Sequence, residues 1–232
     1  MLLTAHQPNY LPYLGFFHKI ALADRFVVAD TVQFVKRGPF GWIHRNKIRT
    51  AEGWQWLSVP VHTKGKFTQR ICDTMIRNDL PWGRKHWKAL VFNYRKAPHF
   101  ERYAPRLEAI YARPWEKLGD LNEALIRLML EFLQIERPIL RASQEGIQGK
   151  ATELIVNLCR AAGTDRYLSG VHGRDYLDPA RLEEAGIHVT IQPFTHPTYP
   201  QCQPGPFVPN LTALDLLFNV GPGSRAVLMG GP

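Results

Sequence analysis

The segment His6-Gln7-Pro8-Asn9-Tyr10 gathers an imidazole, two amides and a phenol within five residues. A turn needs one such residue to bond its own backbone; it does not need all four. His6 is the natural general acid or base of the group, because its ordinary pKa lies near neutrality. Gln7, Asn9 and Tyr10 would then orient a substrate. A second group, Asp30-Thr31-Val32-Gln33-Phe34, offers Asp30 and Gln33, although Asp30 would serve equally well as a helix cap. Arg45, Asn46 and Lys47, with Lys36, Arg37 and His44 nearby, could hold a phosphate or carboxylate; singly, each basic residue reads as a solvated charge. The run Ser169-Gly170-Val171-His172-Gly173-Arg174-Asp175-Tyr176 is either an ordinary turn or a loop whose N–H groups cradle an anion. Ser169, Gly170, Tyr176, Gln192 and Tyr199 complete the candidate binding residues. Asp215 and Asn219, four apart on one helix face, read as structural.

Several chemistries lack their residues. The chain has no HExxH, GxSxG or GxxxxGK[ST] motif, and its nine histidines show no metal-ligand spacing, so no structural or catalytic metal is expected. Cys72, Cys159 and Cys202 lie far apart and form no CxxC pair, which reads as reduced thiols in a cytoplasm. Cys202 near His196 leaves Cys-dependent acyl transfer or hydrolysis as an alternative. The opening MLLTAHQPNY is no signal peptide, and no run approaches the ~20 apolar residues of a membrane span, so a cytoplasmic protein without a membrane partner is expected.

The elements that must position these groups follow from punctuation and periodicity. Met1–His6 and Phe26–Asp30 read as strands flanking a helix over Tyr13–Asp24, and such a crossover puts the first loop and Asp30 at the carboxyl edge of a parallel sheet. Ile43–Arg49 reads as a helical turn or loop, while Trp54–Val61 and Gln69–Ile76 read as strands. Trp82–Tyr94, His99–Arg113 and Leu118–Leu133 carry helical spacing. Strands over Pro138–Leu140, Arg166–Ser169 and Ile187–Phe194 alternate with helices over Lys150–Ala162, closed by Gly163, and Pro179–Ala185, followed by Gly186. Leu211–Phe218 is a short terminal helix, and the Gly221–Pro232 tail is expected to be loose at its end. The fold expected is one α/β domain over residues 1–232: a three-layer, mostly parallel sheet, Rossmann-like and nucleotidyltransferase-like, with a basic and largely helical insert over about 40–135. His6, Gln7, Asn9, Asp30, Gln33, Ser169, Gly170 and Gln192 should meet at its carboxyl edge, with Arg45 as a positive rim.

The chain carries a formal charge of +9, concentrated at one end: residues 1–117 hold 20 Lys and Arg against 8 Asp and Glu, and the rest 9 against 12. An anionic small-molecule substrate or carrier protein is the expected partner. Trp42, Trp54, Trp56, Trp82 and Trp87 interleave with Lys and Arg, as base-stacking surfaces do. Tryptophan is more often buried, and no nucleic-acid fold motif appears, so nucleic acid is disfavoured as a partner.

HQPNYLPYLGFFHKIALAD, DTVQF, RNKI, YRKAP over Tyr94–Pro98, YLSG, the Gln192–Tyr199 stretch and FVPNLTALDLLFNVG together resemble the WbqC-like family, essentially end to end. The resemblance implies a place in bacterial O-antigen, lipopolysaccharide or secondary-metabolite biosynthesis. It singles out His6, Gln7, Asn9, Tyr10, Gln33, Arg45, Asn46, Ser169, Gly170, Tyr176, Gln192, Tyr199, Asp215 and Asn219; Cys202 lies outside it. A weaker likeness, in fold only, runs to HIGH-motif nucleotidyltransferases and pantothenate synthetases, and implies ATP or another nucleotide donor. Here the HxGH pair is absent, since Gln-Pro-Asn-Tyr follows His6 and His18 lies inside a helix. The function expected is transfer of an acyl, aminoacyl or nucleotidyl group to a sugar or amine; the alternative is a non-catalytic module docking an anionic carrier or nucleotide sugar.

Overall fold

A computed structural model describes residues 1–38 and 41–231. Five short strands carry the fold: β1 (Leu2–His6), β2 (Arg25–Val28), β5 (Ile139–Arg141), β6 (Arg166–Ser169) and β7 (His188–Ile191). The central three, β1, β2 and β6, are largely buried and therefore need cover on both sides. The five form one parallel sheet in the order β5-β2-β1-β6-β7. The chain builds outward from β1 to β5, then returns to the other side of β1. The carboxyl ends of all five strands therefore share one edge, and the order reverses between β1 and β6.

Alternation along β1 divides the core. Leu3 and Ala5 join Val27, Ala29 and Tyr167 under α5 (Ala151–Ala162) and α6 (Pro179–Glu184). On the opposite face Phe26 and Val28 pack with α1 (Leu14–Leu22), α4 (Leu118–Phe132) and α7 (Ala213–Val220). Thr4 and His6 alternate with Leu3 and Ala5, and the His6 ring meets Phe16 of α1 edge-on at 4.9 Å. The helix ends carry the expected punctuation. Gly163 closes α5 at φ +64°, and the Asp178 side chain accepts from Ala180 N and Arg181 N to start α6 beside Pro179.

The insert between β2 and β5 holds a two-stranded antiparallel hairpin, β3 (Arg45–Thr50) and β4 (Gly53–Ser58), then α2 (Trp82–Tyr94), α3 (Phe100–Ala112) and α4. Its apolar side chains continue the α1-side core without a break. Two expectations are corrected here. Arg45–Thr50 is a strand, because Asn46, Ile48 and Thr50 alternate inward and its partner β4 follows after a tight turn. Gln69–Ile76 is no strand: Ile71–Asp73 forms a 3-10 turn, held by Thr74 Oγ1 donating to Arg70 O. Within the C-terminal tail, Ser224–Leu228 forms α8 with Leu228 buried; the expectation of a loose end falls partly on Pro232, which lies outside the described residues.

Candidate active site at the strand switch

Leu2 and Leu3 of β1 pair with Arg166 and Tyr167 of β6, and the ladder ends there. Such a reversal of strand order opens the crevice in which α/β sheets take ligands. Past the ladder, Thr4 Oγ1 donates to Leu168 O at 2.7 Å. The Ala5 carbonyl accepts from Lys19 Nζ at 3.0 Å and from Tyr167 Oη at 3.4 Å. Lys19 comes from α1, is 4% exposed, and has no acidic side chain to compensate it among the described residues. Its ammonium approaches the backbone just after β6, since a β-carbon at Gly170 would stand 4.0 Å from Nζ.

Electrostatics follow from that placement. Burial pushes Lys19 from its ordinary 10.5 down to about 7. Burial, with the Lys19 charge second, pushes His6 down to about 3. The expectation that His6 titrates near neutrality is therefore corrected: Lys19 is the group poised there. The His6 ring nitrogen Nδ1 lies 2.8 Å from Gln7 O. A carbonyl only accepts, so Nδ1 carries the proton and Nε2 keeps a free lone pair.

Gln192 enters from the end of β7. Its amide donates to Gly15 O at 2.9 Å and to His18 Nδ1 at 2.8 Å, tying β7 to the start of α1. Gly173 tightens the loop after β6; a β-carbon there would stand 1.9 Å from Ser169 Oγ. Tyr176, half exposed, lies on that loop near the Tyr167 phenol. Thus His6, Ser169, Gly170 and Gln192 gather at the β1–β6–β7 ends, with Gln7 partly buried next to His6.

The other candidates lie elsewhere. Tyr10 is fully buried, its Oη 2.8 Å from His86 Nδ1 and 2.6 Å from Tyr111 Oη, so it knits the first loop to α2 and α3. Tyr10→Phe should cost about 1–2 kcal/mol in urea unfolding and leave ligand responses unchanged; a loss of binding at equal stability would return Tyr10 to the site. Asn46 donates to Leu11 O at 2.5 Å and holds that residue at φ +44°. Asn9 is 4% exposed with Oδ1 unpaired. Asp30 accepts from Arg141 and Ser143 at the β2–β5 end. Gln33 donates to Phe67 O on the insert. Arg45 and Lys47 lie against tryptophans of the hairpin, so Arg45 is no rim of the crevice. Tyr199 belongs to a buried cluster around Asp215, which also accepts from Tyr94 Oη at 2.9 Å and Gln201 Nε2 at 2.8 Å.

Lys19 was missed from sequence. The available signal is His18-Lys19, two adjacent polar residues inside an otherwise apolar helix, which cannot both reach solvent if the helix is covered. The thiols do not favour nucleophilic chemistry. Burial, then Asp215, pushes Cys202 up; burial raises Cys72 and takes Cys159 to about 11. Among the described residues no group of three or more His, Cys, Asp or Glu is placed to hold a metal ion, and no helix is long and apolar enough to cross a membrane. A groove of about 770 Å³ between the hairpin and α2 is lined by Gln55, Trp87 and Phe92, among others, away from the crevice.

A parallel α/β sheet with its polar groups at the strand switch defines a Rossmann-like protein. The chain belongs to the WbqC-like protein family, whose model matches residues 7–227. It is similar to the uncharacterized protein Rv1507c of Mycobacterium tuberculosis (strain ATCC 25618 / H37Rv), 38% identical over 217 residues, covering 93% of this chain and 92% of that protein. No solved structure matches it.

Proposed function

We propose that this protein is a transferase that takes a phosphate-bearing donor, ATP or another nucleotide-linked compound, at the β1–β6 crevice. The observation that carries the reading is Lys19: a buried ammonium without an acidic partner, at the switch point of a parallel sheet. An anion beside Lys19 offsets its desolvation and restores its proton. The same bound anion raises His6 from about 3, and its neutral Nε2 then accepts the proton of an acceptor hydroxyl or amine. The acceptor oxygen or nitrogen bonds to the acyl or nucleotidyl centre, the bond to the leaving phosphate breaks, and Lys19 returns a proton to that leaving group. Sugar and amine acceptors of bacterial surface-polysaccharide or secondary-metabolite assembly suit this scheme, and family membership supports that setting.

The test is a thermal-shift panel of ATP, CTP, nucleotide sugars and an acyl carrier, followed by turnover with sugar and amine acceptors. At least one donor should stabilise the wild type and fail to stabilise Lys19→Gln. His6→Ala should keep donor binding and lose turnover by about a hundredfold or more. Unchanged turnover in His6→Ala removes His6 from the mechanism. Binding without turnover across all acceptors supports the non-catalytic docking module instead.

A further inference from the structure

The hairpin carries a second cluster that the crevice does not use. Residues opposite one another in an antiparallel pair share a face, so Arg45 with Ser58, Lys47 with Trp56 and Arg49 with Trp54 form one side of the ribbon. Loop carbonyls of Pro204 and Pro206 cover Arg49. On the rest of this side Arg45 and Lys47 are partly exposed, and Trp54 is 47% and Trp56 36% exposed; the expectation of buried indoles holds for Trp82 and fails for these two. Trp42 joins them, its ring 5.2 Å from that of Trp56, with Trp54 and Trp56 5.7 Å apart. Lys47 Nζ lies 4.7 Å from the Trp54 ring, 5.7 Å from Trp42 and 5.9 Å from Trp56; Arg45 Cζ lies 4.3 Å over Trp56. Neither cation forms an ion pair within 4.0 Å among the described residues; Arg45 donates only to a carbonyl, Gly41 O.

Three indoles and two uncompensated cations on one open face suit a ligand that offers both π-faces and negative charge. We propose that this face of the β3–β4 hairpin binds single-stranded nucleic acid, with phosphates at Arg45 and Lys47 and bases against Trp54 and Trp56. An acidic peptide would satisfy the cations and leave the indoles without stacking partners. The cations stand two residues apart, about 7 Å along a strand, a reach suited to successive phosphates of an extended chain. The concentration of positive charge in residues 1–117 adds long-range attraction of the same sign. This inference does not depend on the crevice reading.

The experiment is fluorescence anisotropy of labelled ten-nucleotide oligo(U) and oligo(dT) with the full chain, across a salt series, with polyglutamate and anionic phospholipid vesicles as parallel probes. Both oligonucleotides should bind at low salt, with a slope of log K against log salt of about −1.4 for two phosphates. Trp54→Ala and Trp56→Ala should each weaken binding at least about fivefold, with Trp54→Phe retaining most of it. Lys47→Gln and Arg45→Gln should each reduce the slope by about 0.7. The proposal is overturned by absence of binding at low salt, by affinity unchanged in the Trp54→Ala, Trp56→Ala double variant with a native circular-dichroism spectrum, or by equal affinity for polyglutamate. Tighter binding to vesicles than to either oligonucleotide would assign the face to lipid and overturn it too.

Discussion

Lys19→Met should raise the thermal midpoint near neutral pH by about 3 °C or more and weaken donor binding about a hundredfold. The stability gain follows because a buried ammonium without an ionic partner costs free energy that an apolar side chain of similar length does not, and about 1 kcal/mol shifts the midpoint of a chain this size by about 2–4 °C. The binding loss follows because a buried charge-assisted contact is removed. The pH dependence has a definite sign. Unfolded, Lys19 keeps its proton up to about its ordinary 10.5; folded, it releases it at about 7. Between those values the unfolded state binds more protons, so wild-type stability climbs as pH rises from about 7 toward 10.5. The variant should lack that contribution, and the two stability curves should converge toward the alkaline end of the window. Chemical unfolding at several pH values, with donor titrations beside it, reads both effects. A destabilised Lys19→Met variant, or one that binds donor normally, would remove Lys19 from the role assigned to it.

Asp30→Ala should lower the unfolding free energy by about 3–5 kcal/mol, with a midpoint drop of about 10 °C. Asp30 is fully buried; it accepts from Arg141 Nε at 2.5 Å, Ser143 N at 2.9 Å and Ser143 Oγ at 2.6 Å. Arg141 also reaches Asp120 of α4 at 2.6 Å, so the carboxylate sits in a bridge between β2, β5 and the insert. Truncation leaves a largely covered guanidinium with two of its three anionic partners, Asp120 and Glu123, and orphans a backbone N–H. Asp30→Asn keeps an acceptor and should cost less. Urea unfolding with an unchanged m-value is the measurement. A near-neutral stability change together with lost donor binding would make Asp30 a ligand contact after all.

The amino-acid sequence determined the layered architecture and the edge on which polar groups gather. Runs such as Phe26–Val28 and Leu168 with its neighbours are apolar on both faces, so they must be covered on both sides, and capping residues such as Gly163 and Asp178 mark the crossovers locally. His6, Ser169 and Gln192 could be placed at one edge because strand direction and crossover length are legible without knowing any contact. What each polar side chain does was decided only by tertiary structure. Tyr10, Asp30 and Tyr199 have the same types and loop settings as site residues. Their partners, Tyr111, Arg141 and Asp215, come from elements 16 to 111 residues away. Lys19 shows the same limit from the other side. Its charge is ordinary on a helix in water; burial against the Ala5 carbonyl of β1 is what pushes its pKa down to about 7. On the hairpin, the packing of the Asn46–Ile48–Leu57 face inward is what leaves Trp54 and Trp56 in solvent. Periodicity encodes which side of an element is apolar; whether a polar group is solvated, paired or left for a ligand depends on which distant segment arrives next to it.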